Sequence, residues 1–292
     1  MKAAWILGVI LFCKVIQSIY TKRMSICIGG RTQLLTSTAY QYLLCTLLAA
    51  ALLPGGYRGL GEAAGISAVG GIALFSSTLC GLMALKNGTL LLSTLFGSAG
   101  LIIPSVAGIF LFGEPLSVWQ CFGIAGLIYA AYLLVDCSKQ IYKGFSVKSL
   151  LYLLGSFLAN GTVMLSQKFY ALYVPEGEVS VFSFLAFGTA FLLLGIFCCF
   201  DIRRAGGRPE KIMTKELFAY GAAVSTVLFV INYLATEASA VVPAVILFSL
   251  VNGGSTIISA LVAAIFYKEP ISRKSAVGIV VSIAALIVIN TF

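Results

Sequence analysis

One lysine lies inside the first apolar run of the chain. Lys14 stands near the middle of this run, and Gln17 follows three residues later. Residues three apart share a face of a helix, so their side chains would lie side by side. In the interior of a bilayer an ammonium costs about 2.5 to 3.5 kcal/mol and needs a partner, a wet cavity or a route to the interface. We interpret Lys14 as an anchor for an anionic or carboxylate group, with snorkelling of its long side chain as the structural alternative.

Amides and hydroxyls inside other apolar runs form a second group of candidates. An amide in hydrocarbon seeks a partner, which is a substrate or a neighbouring helix. A serine hydroxyl in a helix more often bonds to a carbonyl of its own helix. The residues that we predict to bind substrate are Lys14, Gln17, Ser76, Ser77, Asn160, Asn232, Tyr233 and Asn252.

Small residues and a proline occur at matching places in two of the runs. Gly97, Gly100 and Pro104 lie in one run, and Gly253 and Gly254 lie 155 residues beyond the first cluster. Such residues near the middle of a span can distort a helix and free backbone groups for a substrate. Close packing between helices through small residues explains the same pattern equally well. The sequence leaves both interpretations open.

The positions of these clusters reflect a repeat in the chain. Residues 113–132 are echoed by residues 268–287, and the pairs Glu114-Pro115 and Glu269-Pro270 align without a gap. Each pair precedes an apolar run. Proline suits the first turn of a helix, and an acidic side chain is favourable at a helix N-terminus. We therefore predict that these four residues shape the turns that begin the fifth and tenth helices and take no part in transport chemistry.

The composition identifies the solvent of the chain as a lipid bilayer. Apolar residues make up 60% and charged residues 10% of the 292 positions, which excludes a soluble domain. Long, uniformly apolar runs fit helices and do not fit the strands of a barrel. The predicted helices lie near residues 3–20, 34–53, 66–85, 89–112, 116–135, 149–170, 180–200, 217–236, 243–266 and 271–290.

The most polar break near the middle of the chain separates two sets of five runs. We predict a first repeat over residues 1–136, a connecting loop over 137–148 and a second repeat over 149–292. Five helices per repeat force the two repeats into opposite orientations, an arrangement that places a binding site between them near the midplane. The predicted fold class is an all-α integral membrane protein with ten transmembrane helices in two inverted five-helix repeats.

The basic residues predict the orientation of the chain in the membrane. Of 19 lysines and arginines, fifteen fall in alternate loops, three (Lys2, Arg58 and Lys168) fall on the opposite side, and Lys14 lies in a span. The positive-inside rule places the fifteen in the cytoplasm and both termini outside. The basic residues form no continuous face, which argues against nucleic acid as a partner. We expect a multi-pass protein of the cell inner (plasma) membrane.

Several sequence features needed for enzymatic chemistry are missing. The chain has no histidine, no GxxxxGK phosphate loop, no acidic pair within a run and no metal-type cysteine spacing. We expect no enzyme activity, no cofactor and no metal. The expected partners are a small-molecule substrate and the lipid bilayer, and we expect the monomer to be functional.

The paired Gly-Glu-Pro turns, each followed by a glycine-containing helix, resemble the EamA-type families of the drug/metabolite transporter superfamily. The resemblance is strongest over residues 81–135 and 236–290, and Gly123 matches the glycine of the last helix in the family's repeat. It implies a central cavity lined mostly by the first, third and fourth helices of each repeat. Small four-helix relatives use a glutamate of the first helix for proton coupling. Here that helix offers Lys14, so a facilitator or exchanger is at least as compatible with the resemblance.

These observations together predict a secondary transporter. It would move a small polar or amphipathic metabolite, such as an amino acid or a drug-like molecule, by alternating access, with efflux as the activity typical of the resemblance. The first alternative is a flippase for a lipid-linked sugar or phosphate, in which Lys14 would meet a phosphate. The second is a membrane sensor or assembly partner that transports nothing.

Overall fold

The structure is a computed structural model of the 292-residue chain. The description covers residues 2–53, 60–86, 96–97, 99–115, 117–134, 147–174, 178–204, 213–268 and 273–291. Glu269 and Pro270, which the sequence analysis assigned to a turn, lie outside these residues.

The described residues fold into helices joined by short connections. In chain order they are α1 (Lys2–Cys27), α2 (Arg31–Ala51), α3 (Leu60–Lys86), α4 (Ile102–Phe112), α5 (Val118–Leu134), α6 (Val147–Tyr173), α7 (Val179–Arg204), α8 (Lys215–Ser239), α9 (Ala244–Phe266) and α10 (Arg273–Thr291). Seven of them are long and apolar enough to cross a membrane, while α4, α5 and α10 are shorter apolar helices. The all-α, multi-span character predicted from composition is therefore confirmed.

Large apolar side chains cover the outside of the helices. Trp5 and Phe110 are 78% and 80% exposed, and Ile265 and Phe122 are also exposed. A surface of this kind is unfavourable in water and suits contact with lipid chains. The outward face of the bundle is therefore apolar, in agreement with the long apolar runs of the sequence.

The helices pack in a pattern that joins the two halves of the chain. Helix α1 packs against α8 and α9, and α6 packs against α3 and α4. Among the described residues, six further pairs form between the halves: α2 with α7 and α8, α3 with α7, α4 with α9, and α5 with α9 and α10. The largest apolar cluster lies where α8 and α9 meet α1, with Ile10, Ala238 and Leu247 fully buried.

The helix predicted over residues 89–112 is interrupted in the described part. Phe96, Gly97 and Ala99 are helical, Gly100 and Leu101 form a turn, and α4 begins after it. Pro104 is the third residue of α4, where a backbone amide needs no partner within the helix. Pro104 has no amide to donate to Gly100 O, which accepts instead from Ile103 N at 3.1 Å. The turn therefore lies at the glycines and proline for which the sequence left helix distortion and close packing open.

The corresponding helix of the second half is continuous. Helix α9 passes through Asn252, Gly253 and Gly254 without a break. A Cβ atom on Gly253 would lie 2.9 Å from Leu127 Cδ2 of α5, and one on Gly254 would lie 2.9 Å from Leu11 Cδ2 of α1. These two glycines therefore allow close packing, which is one of the two interpretations that the sequence left open.

Helix α5 begins two residues later than the sequence predicted. Helix α5 begins at Val118, so Pro115 precedes the helix and does not form its first turn. Ser117 and Gln120 form a capping box: the Ser117 hydroxyl accepts a hydrogen bond from Trp119 N, and Gln120 Oε1 accepts one from Ser117 N. These bonds satisfy two of the free amides at the start of α5.

Candidate functional site

Four residues of α6 form a line along one face of the helix. Ser156, Asn160, Met164 and Gln167 are spaced by four, four and three residues, so they stack along this face. We name them the α6 stripe. Gln167 is only 4% exposed, in a helix that contacts α3, α4 and α8. The stripe therefore brings hydrogen-bonding side chains into the interior of an otherwise apolar bundle.

The most buried contact of the α6 stripe joins two amides on different helices. Gln167 Nε2 of α6 donates to Asn232 Oδ1 of α8 at 3.0 Å. Asn232 Nδ2 in turn donates to Leu228 O of its own helix at 2.9 Å. Each amide carries two donors and an acceptor with two lone pairs, so this pair has capacity for further hydrogen bonds.

A small cavity lies beside this amide pair. Its volume is about 10 Å³, which is the space of about one water molecule. Helices α3, α6, α7 and α8 contribute its lining, which consists of Gly70, Leu74, Val163, Ser166, Gln167, Phe182, Ser183, Ala186, Phe187 and Asn232. In this conformation the space next to Gln167 is too small for a metabolite.

Three predicted asparagines share one local geometry. Asn160, Asn232 and Asn252 each donate through Nδ2 to the carbonyl four residues earlier in the same helix, at 2.9, 2.9 and 3.1 Å. This bond fixes the amide and leaves its oxygen free to accept from another group. Asn252 Nδ2 also lies 3.5 Å from Met164 Sδ, so α9 reaches the α6 stripe. The structure thus brings all three asparagines to α6.

The turn at Gly100 packs closely against the same helix. A Cβ atom on Gly100 would lie 3.0 Å from Gly161 N and from Phe157 O, and one on Gly97 would lie 3.3 Å from Asn160 Nδ2. The sequence left helix distortion and close packing open at these two glycines. Both occur here, because the chain turns at Gly100 and its backbone contacts that of α6.

Lys14 and Gln17 form no hydrogen bond or ion pair with the α6 stripe within the described residues. Both side chains are half-buried in α1, and neither has a hydrogen-bond or ion-pair partner within the described ranges. The nearest polar link on this helix runs from Ser18 Oγ to Ser259 Oγ of α9 at 3.4 Å. The ammonium predicted to anchor a substrate is therefore available for one, and it does not join the three asparagines through protein contacts.

The remaining predicted residues occupy positions near α2 and α3. Ser76 and Ser77 are half-buried in α3, and the hydrogen bond to a neighbouring helix is made by Thr78, whose hydroxyl lies 2.8 Å from that of Tyr42. Tyr233 packs its ring against Phe229, with the centroids 5.7 Å apart. Substrate contact at these residues stays a prediction.

The sequence analysis missed a buried ion pair between Lys168 and Glu114. Lys168 Nζ lies 2.6 Å from Glu114 Oε1, and the two side chains are 4% and 15% exposed. Lys168 was counted among the loop charges, which was wrong, because it lies inside α6 next to Gln167. A signal was present: the lysine falls within the helix predicted over residues 149–170. Lys14 was therefore not the only charge inside a span.

Backbone groups of the turn between α8 and α9 complete the ion pair. Lys168 Nζ donates to Val242 O at 2.9 Å, and Glu114 Oε2 accepts from Ala244 N at 2.8 Å. Ala244 is the first residue of α9, where free amides and the helix dipole favour an anion. The buried charges are thus paired with each other and with a carbonyl and an amide of matching polarity. We name Glu114, Lys168, Val242 and Ala244 the clasp.

Glu114 thereby has a role beyond the turn geometry predicted for it. Its carboxylate connects the α4–α5 turn to α6 and to α9. Its own backbone amide donates to Gly108 O at 2.9 Å, which closes the C-terminus of α4. The side chain can reach Ala244 because residue 108 is glycine, since a Cβ there would lie 2.7 Å from Glu114 Oε2.

Comparison with known proteins finds a solved structure with a similar fold. No family model matches the sequence, and no curated protein matches it. A solved structure described as "Crystal structure of protein" matches with a TM-score of 0.73 and covers 98% of each chain. The sequence identity is 13%, so this similarity concerns the fold over its whole length.

Proposed function

We propose that this chain is a secondary transporter that moves a small polar or amphipathic metabolite by alternating access. The observation that carries the proposal is the α6 stripe, where Gln167 meets Asn232 and Met164 meets Asn252. Polar groups inside a lipid-embedded bundle are costly and typically mark the path of a substrate or ion. Helices α1, α4, α6, α8 and α9 would supply the contacts to the substrate.

The helix pairing supports two five-helix repeats. Exchanging α1–α5 with α6–α10 turns the pairs α1–α8 and α1–α9 into α6–α3 and α6–α4, which are also present. The pairs α2–α7, α5–α10 and α4–α9 map onto themselves. The pair α2–α8 likewise turns into α7–α3, whereas α5–α9 has no counterpart of similar extent among the described residues. A pattern that survives this exchange for most pairs between the halves is expected of repeats related by a twofold axis.

The contacts at the two ends of the bundle support an inverted orientation of the repeats. Cys27, at the end of α1, contacts Glu216 at the start of α8, and Arg31 of α2 pairs with Asp201 at the end of α7. We name this the Arg31 end. Helix α6 finishes at the opposite end, where Lys168 meets Val242 beyond the C-terminus of α8. We name that the Glu114 end. Helices α1 and α6 therefore run in opposite directions, as first helices of inverted repeats do.

The chemistry of the path suggests the class of substrate. Four amides line it (Asn160, Gln167, Asn232 and Asn252), and amides form hydrogen bonds with hydroxyl, amine and carboxyl groups alike. Lys14 adds a half-buried ammonium that has no partner within the described residues and would attract a carboxylate. A zwitterionic or carboxylate-bearing metabolite fits this combination best.

Counterflow in proteoliposomes tests the proposal. Purified protein is reconstituted with an unlabelled amino acid, organic acid, organic cation or sugar inside, and uptake of the same labelled compound is followed. We expect transient accumulation with at least one compound. Lys14→Ala and Gln167→Leu should each abolish it while membrane yield stays unchanged, because they remove the ammonium and the most buried amide of the path.

Asn290→Leu provides the matched control for the amide variants. Asn290 makes the same bond to a carbonyl four residues earlier, but it is exposed on α10. Its replacement should leave counterflow unchanged. Unchanged counterflow in Gln167→Leu would contradict a place for the α6 stripe in the path. Equal loss of counterflow in Asn290→Leu would contradict it as well. A signal in a lipid-scrambling assay with none in counterflow would favour the flippase.

A further inference from the structure

We propose that the clasp is a gate that closes the Glu114 end of the path in this conformation. This inference rests on the proposed function. The clasp begins one residue beyond the α6 stripe, since Lys168 follows Gln167 directly. In this proposal, a solute that reaches Gln167 and Asn232 from this end passes the clasp.

The position of the clasp suits closure because it joins three parts of the bundle that have no covalent connection nearby. Glu114 belongs to the α4–α5 turn, Lys168 to α6, and Val242 with Ala244 to the α8–α9 turn. Breaking the contacts of the one carboxylate and the one ammonium would remove every polar link that the clasp makes between the three. A closure that depends on two side chains can open without unpacking the apolar core.

The chemistry of the clasp suits reversible opening. Its contacts are one ion pair and two hydrogen bonds to backbone groups, at 2.6, 2.9 and 2.8 Å. Water can replace each of these partners when the end opens, so the open state strands no charge. Apolar packing offers no such exchange.

Burial along equivalent helices indicates which end is closed. In α6, most of residues 161–170 near the Glu114 end are buried. In α1, the first helix of the other half, residues 13–20 approach the Arg31 end and all of them are only half-buried. The half-buried segment includes Lys14 and Gln17. The segment near the clasp is therefore more buried than the equivalent segment near the Arg31 end. This difference is expected of a path that is closed at the clasp and more open at the opposite end.

Helix α4 has joints at both of its ends. A turn at Gly100 and Leu101 precedes it, and Gly113 ends it with a backbone φ of +65°. Such positions can absorb changes in backbone angle during a hinge motion. Rotation of α4 between these joints would withdraw Glu114 from Ala244 and open the gate.

Accessibility of a reporter cysteine tests the gate without a substrate. The eight native cysteines are replaced, and Ser183→Cys is introduced, because Ser183 lines the cavity next to Gln167 and is 2% exposed. A membrane-impermeant methanethiosulfonate is then added from each side of the membrane in turn. The variant combines Glu114→Gln with Lys168→Met, so it removes the ion pair and leaves no unpaired charge.

We expect the double variant to increase labelling from the Glu114 side by about tenfold, because the closed population loses its main contact there. Labelling from the Arg31 side should fall. The control combines Arg31→Met with Asp201→Asn, which removes an interhelical ion pair of 3.1 Å at the other end. It should not increase labelling from the Glu114 side.

Two outcomes would overturn the gate. One is a double variant that elutes as a monodisperse, helical protein and is labelled from both sides at the rate of its parent. The other is a control that increases labelling from the Glu114 side as much as the double variant does. Counterflow keeps the two proposals separate: flux with unchanged labelling refutes the gate, and altered labelling with no flux for any compound refutes the transporter.

Discussion

At the scale of single residues, Glu114 and Lys168 show how a membrane protein keeps two full charges in its interior. Each carboxylate oxygen has its own partner, Lys168 Nζ for Oε1 and Ala244 N for Oε2. The ammonium has a second partner in Val242 O. A buried charge without such partners would cost several kcal/mol. The backbone groups match these charges, because the carbonyl of Val242 accepts from the ammonium and the amide of Ala244 donates to the carboxylate.

This arrangement predicts non-additive effects on stability. Lys168→Met should reduce the free energy of unfolding by about 3 to 5 kcal/mol, because it leaves the Glu114 carboxylate buried without its counter-ion. Adding Glu114→Gln should recover part of that loss. Thermal unfolding of the purified protein in detergent, taken through both single variants and the double variant, measures the coupling.

The Arg31–Asp201 pair is the control for this cycle. Its side chains are 37% and 23% exposed, so Arg31→Met should cost less than about 1 kcal/mol. Additive losses at Glu114 and Lys168 would contradict the assignment of the clasp as a coupled unit.

At the scale of elements, the contact between α4 and α6 depends on the absence of side chains. Gly100 and Gly161 face each other, so the turn before α4 meets the backbone of α6. The same α6 segment carries Asn160 and Met164, so this contact positions the α6 stripe. Helices in lipid associate through such small residues, because burial of apolar surface gives no gain there.

Gly161→Ala tests this contact. Its Cβ would lie 2.8 Å from Gly100 O and 2.7 Å from Ile103 Cβ, so α4 and α6 would have to separate. We expect a loss of roughly 1 to 3 kcal/mol in the free energy of unfolding. Gly195→Ala is the control, since nothing lies within 4 Å of its added methyl group. Thermal unfolding should rank the control at or above the parent, and equal loss in both variants would contradict close packing at Gly161.

At the scale of the whole molecule, the positions of charges and helix ends give one orientation. Removing Lys168 from the three basic residues of the outer side leaves Lys2 and Arg58 against fifteen on the other side. Gln120 at the start of α5 bonds to Ile289 O near the end of α10 at 3.4 Å, so the C-terminus lies at the Glu114 end. The corrected charge bias therefore strengthens the prediction that this end faces away from the cytoplasm.

Fusion reporters test the orientation. A fluorescent protein that matures only in the cytoplasm should stay dark after residue 292, and a phosphatase active only outside should be active there. The same two reporters placed in the connecting loop at residue 141 should give the reverse result. A fluorescent C-terminal fusion would contradict the orientation, and equal results at the two positions would contradict five helices per repeat.

The sequence by itself determined the lipid-facing, all-helical character and the approximate position of each long helix. These properties depend on the local run of apolar residues, which needs no knowledge of neighbours. The sequence also identified Asn160, Asn232 and Asn252 as candidate binding residues, because an amide within an apolar run can be recognised without a structure. The repeat itself was visible as an echo of residue types.

The tertiary structure decided which polar groups meet. Lys168 is 54 residues from Glu114 and 74 from Val242, so no local pattern could pair them. Glu114 looked like a turn residue because its two partners, the ammonium and the amide of Ala244, come from other helices. The continuity of α9 and the turn at Gly100 were likewise decided by packing, since glycines in both runs fit a break or a close approach until their neighbours are known.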